Sequence, residues 1–156
     1  MDPTPATARS AAQILSAGCA VLALITLGLP FAEKYFWLDT HKWMETFTGF
    51  TIGSASRMDG HRPVPVAVAV IVIAGTVLLA ALAWAAVETD RSGISATAAV
   101  LAVALVFFSM PALSGIDGEF GAGHDQFSAF GIGLWRLMLV ACGVLALRAC
   151  PRPRDW

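Results

Sequence analysis

Between Arg62 and Glu88 the chain carries no charged side chain. The run Val64–Val87 reads VPVAVAVIVIAGTVLLAALAWAAV. As a helix rising about 1.5 Å per residue, these roughly 24 residues are about 36 Å long, against a hydrocarbon core of about 30 Å. Backbone N–H and C=O groups in lipid must be satisfied within the segment, which dictates a helix. Three further apolar runs flank it, about Ala11–Leu29, Ile94–Met110 and Ala129–Leu147. Only 13% of the residues are charged, where roughly a quarter is usual for soluble domains. The net charge of −1 gives no argument for a nucleic-acid partner. The sequence therefore predicts an all-α integral membrane protein. It forms a single membrane domain over residues 1–156, a four-helix bundle with spans at 11–29, 64–87, 94–110 and 129–147 and outer loops at 31–63 and 112–128.

The first nine residues read as a polar tail with two prolines, and Ser10 with Gln13 forms a capping box that opens the first span. A cleaved signal peptide fits poorly. Arg9 is its sole basic residue, the apolar run is long for a signal, and Leu29-Pro30-Phe31 is a poor cleavage context. In the first outer loop, a helical wheel gathers Phe36, Thr40, Trp43, Met44 and Phe47 on one face, with Trp37 at its border. Lys34, His41, Lys42 and Glu45 fall opposite, and Leu38 breaks the pattern. This predicts an amphipathic helix over residues 33–47, resting on lipid headgroups or on a partner subunit. Tyr35, Trp37 and Trp43 suit the interfacial aromatic belt. Residues after Gly49 read as extended, and Met58–His61 as a turn.

Ala67, Ala74, Ala81 and Ala85 make a small-residue seam on the second span, and Ser95, Ala98, Ala99 and Ala102 make one on the third. Such seams let helices approach closely. The short link Glu88–Gly93 forces these two spans into an antiparallel hairpin. Pro111 is expected to end the third span, as Pro30 ends the first. A span ending in proline, a polar loop and a second span would then occur twice, the plan of a parallel repeat. Arg9, Arg91, Arg148, Arg152 and Arg154 lie on one side of the membrane. Lys34, Lys42, Arg57 and Arg62 lie on the other, in one loop, while the second outer loop has no basic residue. The positive-inside rule puts both termini in the cytoplasm of a multi-pass cell-membrane protein.

Arg136 is the one charge inside a predicted span. A charge at that depth is costly and normally paired. Its candidate partners are Asp117, Glu119 and Asp125, a carboxylate of another subunit, or a lipid phosphate. Alternatively it snorkels to the interface beside Trp135. His41, His61 and His124 all fall in the outer loops, as metal-ligand types without a metal-binding spacing. No nucleophile elbow accompanies Ser114, His124 and Asp125, and the glycines of residues 115–123 lack the strand–helix context of a phosphate loop. Cys19, Cys142 and Cys150 form no CxxC and are read as small apolar residues. A Cys19–Cys142 pair and lipidation of Cys150 are the alternatives weighed.

Four spans with a larger first outer loop resemble the plan of tetraspan proteins such as claudins, in topology alone. The loop cysteines that form the claudin disulfide are absent here, and no residue role carries over. The expected function is that of a non-enzymatic accessory or structural subunit of a larger membrane complex, with lipid and partner membrane subunits as its contacts and no cofactor. The interface would be Phe36, Trp37, Trp43, Met44 and Phe47. One alternative is a small homo-oligomeric transporter or channel using Arg136. Another is an extracytoplasmic metal or ligand sensor built on the loop histidines.

Overall fold

A computed structural model describes residues 5–38, 41–54, 64–119 and 130–150, with side chains over residues 10–31, 46–54, 64–113 and 130–150. Four helices dominate: α1 (Pro5–Thr26), α2 (Val66–Thr89), α3 (Ser92–Glu119) and α4 (Phe130–Ala149). Between α1 and α2 lie strands β1 (Pro30–Leu38) and β2 (His41–Thr48) and a short 3₁₀ turn, Ile52–Ser54. α1 packs on α2 and α4, and α3 packs on the same two helices. The helices thus form a ring in which α1 faces α3, and α2 faces α4, across the axis. Asp90, in the left-handed conformation at φ 49°, ends α2 and turns the chain straight into α3. Three helices are long and apolar enough to cross a membrane, over Val66–Thr89, Ser92–Leu113 and Phe130–Ala149. The apolar stretch of α1, Ser10–Thr26, is shorter.

The core is built on a three-four spacing in every helix. Buried positions are Gln13, Ser16, Ala20, Ala23 and Leu27 before β1, then Ala69, Val72, Thr76, Leu79, Ala83 and Ala86 on α2. Ser95, Ala98, Ala102, Leu105 and Ser109 follow on α3. Ile132, Trp135, Leu139, Cys142, Ala146 and Ala149 complete the set on α4. This is the repeat of helices that cross at shallow angles with interlocking side chains. Alanine and serine dominate the half nearer the termini, which draws the backbones together. Large apolar residues point outward instead, among them Ile14, Leu22, Ile25, Val70, Val100, Phe107 and Leu137. An inside of small and apolar residues with a few hydroxyls and one amide, and an outside of large apolar residues, suit lipid rather than water as the surroundings.

Several sequence expectations are corrected. α1 begins at Pro5, five residues ahead of Ser10, so Ser10 and Gln13 lie within the helix and not at its cap. Proline suits a first helical position, and the alanines that follow extend it. On α2 the buried face is not the expected seam: Ala67, Ala74 and Ala81 are exposed and Ala85 half-buried. The expected α3 seam is the buried one, with Ser95, Ala98, Ala99 and Ala102 all at 2% exposure or less. α3 also runs on through Pro111 to Glu119. Proline removes one N–H and crowds the carbonyl four residues back. In apolar surroundings, breaking the helix outright would orphan more groups than that. With β1 after Pro30 and helix after Pro111, the two halves do not share a plan.

The amphipathic helix expected over residues 33–47 is instead an antiparallel hairpin, with Tyr35 opposite Met44, Phe36 opposite Trp43 and Trp37 opposite Lys42. Offsets of four residues satisfy a helical face and a strand's alternation alike, so the wheel could not separate them. Aromatic and threonine-rich composition decides for the strand. Successive pairs alternate between the two faces of the hairpin. In strand register Phe36 and Trp43 form one pair and Met44 belongs to the next, so the single helical face expected for Phe36, Thr40, Trp43, Met44 and Phe47 is not formed; Thr40 lies outside the described residues. Residues Ile52–Ser54, expected extended, form the 3₁₀ turn, tied by Ser54 N–H to the Thr51 carbonyl at 2.9 Å. Met58–His61 lies outside the described residues.

Candidate functional site

The base of the hairpin sets the geometry of the bundle's far end. Phe31, fully buried, stands with its ring 6.2 Å from that of Trp135, tilted by 54°. Gly131 lies under the Pro30 carbonyl, so closely that a Cβ there would overlap it. A glycine at the start of α4 is what allows β1 to cross against that helix.

Trp135 and Arg136 then diverge, as neighbours on a helix must. Trp135 is fully buried, and its Nε1–H donates to Thr76 Oγ1 at 3.2 Å. Thr76 in turn donates to the Val72 carbonyl at 2.7 Å. This bond joins α4 to α2 across the bundle axis. Arg136, half-buried, reaches sideways to α3: Nε donates to Ser109 Oγ at 3.0 Å and Nη2 to the Ser109 carbonyl at 2.7 Å. Ser109 Oγ–H donates to the Val106 carbonyl at 2.8 Å. The guanidinium thus grips α3 two residues before Pro111, where proline weakens the helix's own ladder. It sits about 9 Å from the first residue of α4.

The remaining expected site residues are dispersed. The backbone of Asp117 and Glu119 belongs to the last turns of α3, and Asp125 lies outside the described residues. His41 is the first residue of β2, while His61 and His124 lie outside the described residues. No cluster of three or more metal-ligating side chains occurs among the described residues. Cys19, Cys142 and Cys150 are free thiols. Cys142 meets Ser16, whose Oγ–H donates to the Cys142 carbonyl at 3.1 Å and lies 3.4 Å from its Sγ. Cys150 Sγ faces the Ser92 carbonyl at 3.7 Å, tying the end of α4 to the start of α3.

At the opposite end of the axis from Trp135, all four helices wall a narrow cleft with no room for a water molecule. Gln13 and Ser16 come from α1, Ala83 and Ala86 from α2, Ser95 and Ala98 from α3, and Ala146 from α4. The sequence alone does not mark Thr76 and Ser109 as partners of Trp135 and Arg136. Each lies on the three-four register of its own span, and a polar residue on that register was the available signal. No protein-family model, curated protein or solved structure matches this chain.

Proposed function

We propose that this chain is a non-enzymatic accessory subunit of a larger complex in the cell membrane. In this reading all four helices span, and both termini lie in the cytoplasm. The outward face of α1, with Ile14, Leu15, Leu22 and Ile25 each at least 49% exposed, supports counting it as the fourth span. The observation that carries the reading is the outward stripe Ala67, Ala74 and Ala81. It is exposed on a helix whose other face already fills the bundle. Lipid gives apolar helices little reason to associate, so close approach over small residues is what brings a second helix in. The hairpin adds to this. Among the described residues β1 pairs with β2 alone, which leaves each strand an edge that a further strand could join.

Conduction through a single copy has less support. The axis is crossed by the Trp135–Thr76 bond, and Arg136 is engaged by Ser109 rather than turned into a passage. The test is co-purification after mild detergent extraction. Ala74→Phe and Ala81→Phe should each release the partner while leaving the melting temperature of the isolated chain unchanged. Val100→Phe, on α3 at a position 69% exposed and away from that stripe, should retain it. Retention of every partner by both alanine variants would remove the stripe as the contact. Fusion of a cytoplasm-specific reporter to either end checks the orientation.

A further inference from the structure

Arg136 carries a charge whose hydrogen bonds bring it no counter-charge. They go to the Ser109 hydroxyl and carbonyl, both neutral acceptors, and among the described residues no carboxylate reaches it. A charge in apolar surroundings is costly unless it is paired. The same bonds fix which part of the guanidinium is left over. They fill the edge formed by Nε and Nη2. The edge formed by Nη1 and Nη2 remains, and its parallel N–H groups match a carboxylate or a phosphate in bidentate fashion. Arg136 is half-buried, not enclosed by the bundle. Its depth follows from both helices. On α3 the sequence turns polar at Ser114, five residues past Ser109, or about 8 Å along the axis. On α4 helical side chains lean toward the N-terminus, which carries the guanidinium outward from its own Cα. The charge thus lies a turn or two inside the hairpin end of the bundle, within snorkelling reach of headgroups.

The helix surface beside it is open and apolar. Gly133, one turn back on α4, is exposed, and a Cβ there would meet nothing within 4 Å. Phe107 and Met110 on α3, and Phe130 and Leu137 on α4, are each at least 52% exposed. We propose that the free edge of Arg136, held in place by Ser109, binds the phosphodiester of an anionic lipid in the leaflet at the hairpin end. The acyl chains lie on the exposed apolar residues, the headgroup takes the space left at Gly133, and the phosphate supplies the counter-charge. Bilayers thin locally around such a charge, which brings phosphates to this depth. A free phosphate ion offers the same oxygens but must leave water for an apolar surface. A zwitterionic headgroup brings its own cation, which reduces the net attraction. The site does not depend on the chain having a partner subunit.

The full chain is stripped of lipid in a neutral detergent and titrated under native mass spectrometry. The probes are phosphatidylglycerol, phosphatidylcholine with the same acyl chains, and inorganic phosphate. Phosphatidylglycerol is expected to bind tightest. Arg136→Gln should weaken it about tenfold, the worth of a charge-assisted hydrogen bond. Arg148→Gln, in the last turn of α4 and so at the other end of that helix, should leave it unchanged. Gly133→Leu fills the open space without touching the Ser109 contact, so it should weaken binding too, and it decides the matter if Arg136→Gln does not fold. Unchanged affinity in Arg136→Gln overturns the proposal. Phosphatidylglycerol bound no tighter than phosphatidylcholine also overturns it, since a carboxylate would then already pair with the guanidinium. Inorganic phosphate that displaces the lipid at equal concentration overturns it as well, in favour of a site for a small anion.

Discussion

Replacing Thr76 by valine keeps the shape of the side chain and removes the acceptor of the Trp135 indole N–H. Trp135 is fully buried and its bond to Thr76 Oγ1, at 3.2 Å, is at the long end of the normal range. A buried donor left unsatisfied costs about 1–3 kcal/mol in water-soluble proteins. Side-chain bonds between membrane helices average about 0.6 kcal/mol, with a maximum near 1.7. The expected loss for Thr76→Val is therefore about 1 kcal/mol, near the low end of the first range. That corresponds to a melting temperature lower by roughly 2–4 °C for a chain of this size. Trp135→Phe removes the donor, so a subsequent Thr76→Val should cost nearly nothing. The released Val72 carbonyl keeps its place in the helix ladder. The assay is reversible unfolding in mixed micelles by SDS titration, followed by far-UV circular dichroism so that loss of the indole does not distort the signal. A coupling of about 1 kcal/mol in the double-mutant cycle is expected. Thr76→Val indistinguishable from the parent, or equally costly with and without the indole, would refute the reasoning that this bond closes the axis between α2 and α4.

Two further substitutions probe the far end. Gly131→Ala should destabilise by about 1–3 kcal/mol, because the new methyl must displace the Pro30 carbonyl at the base of the hairpin. Gly133→Ala, with nothing within 4 Å, should be neutral or slightly stabilising in the same unfolding assay. Ser109→Ala should cost about 1 kcal/mol and lose that cost in an Arg136→Leu background, since the hydroxyl serves the guanidinium Nε. An unchanged cost there would mean that Ser109 acts through Val106 alone.

The helices were readable because a charge-free run of this length has one stable form in lipid. The buried face of α2 was not. Its alanines at 67, 74 and 81 and its core at 69, 72, 76, 79, 83 and 86 are both plausible seams in a helix apolar on every side. On α3, by contrast, Ser95 marks the seam with a polar group that lipid excludes. Residues 33–47 were misread because offsets of four do not separate the helical period from the strand's. Pro111 was misread because its cost is local, while ending α3 would have exposed several backbone groups. Arg136 is identifiable as a charge within a span, and among the described residues its acceptors are the Ser109 hydroxyl and carbonyl. Nothing in sequence spacing pairs residues on separate spans.

The most direct test of the subunit reading is the mass of the intact particle, released by mild detergent from the membrane in which the chain is naturally made. The account predicts a complex larger than the 16.4 kDa chain, with a second polypeptide in fixed stoichiometry. A lone monomer of that mass, or an assembly of this chain with itself and nothing else, would contradict it.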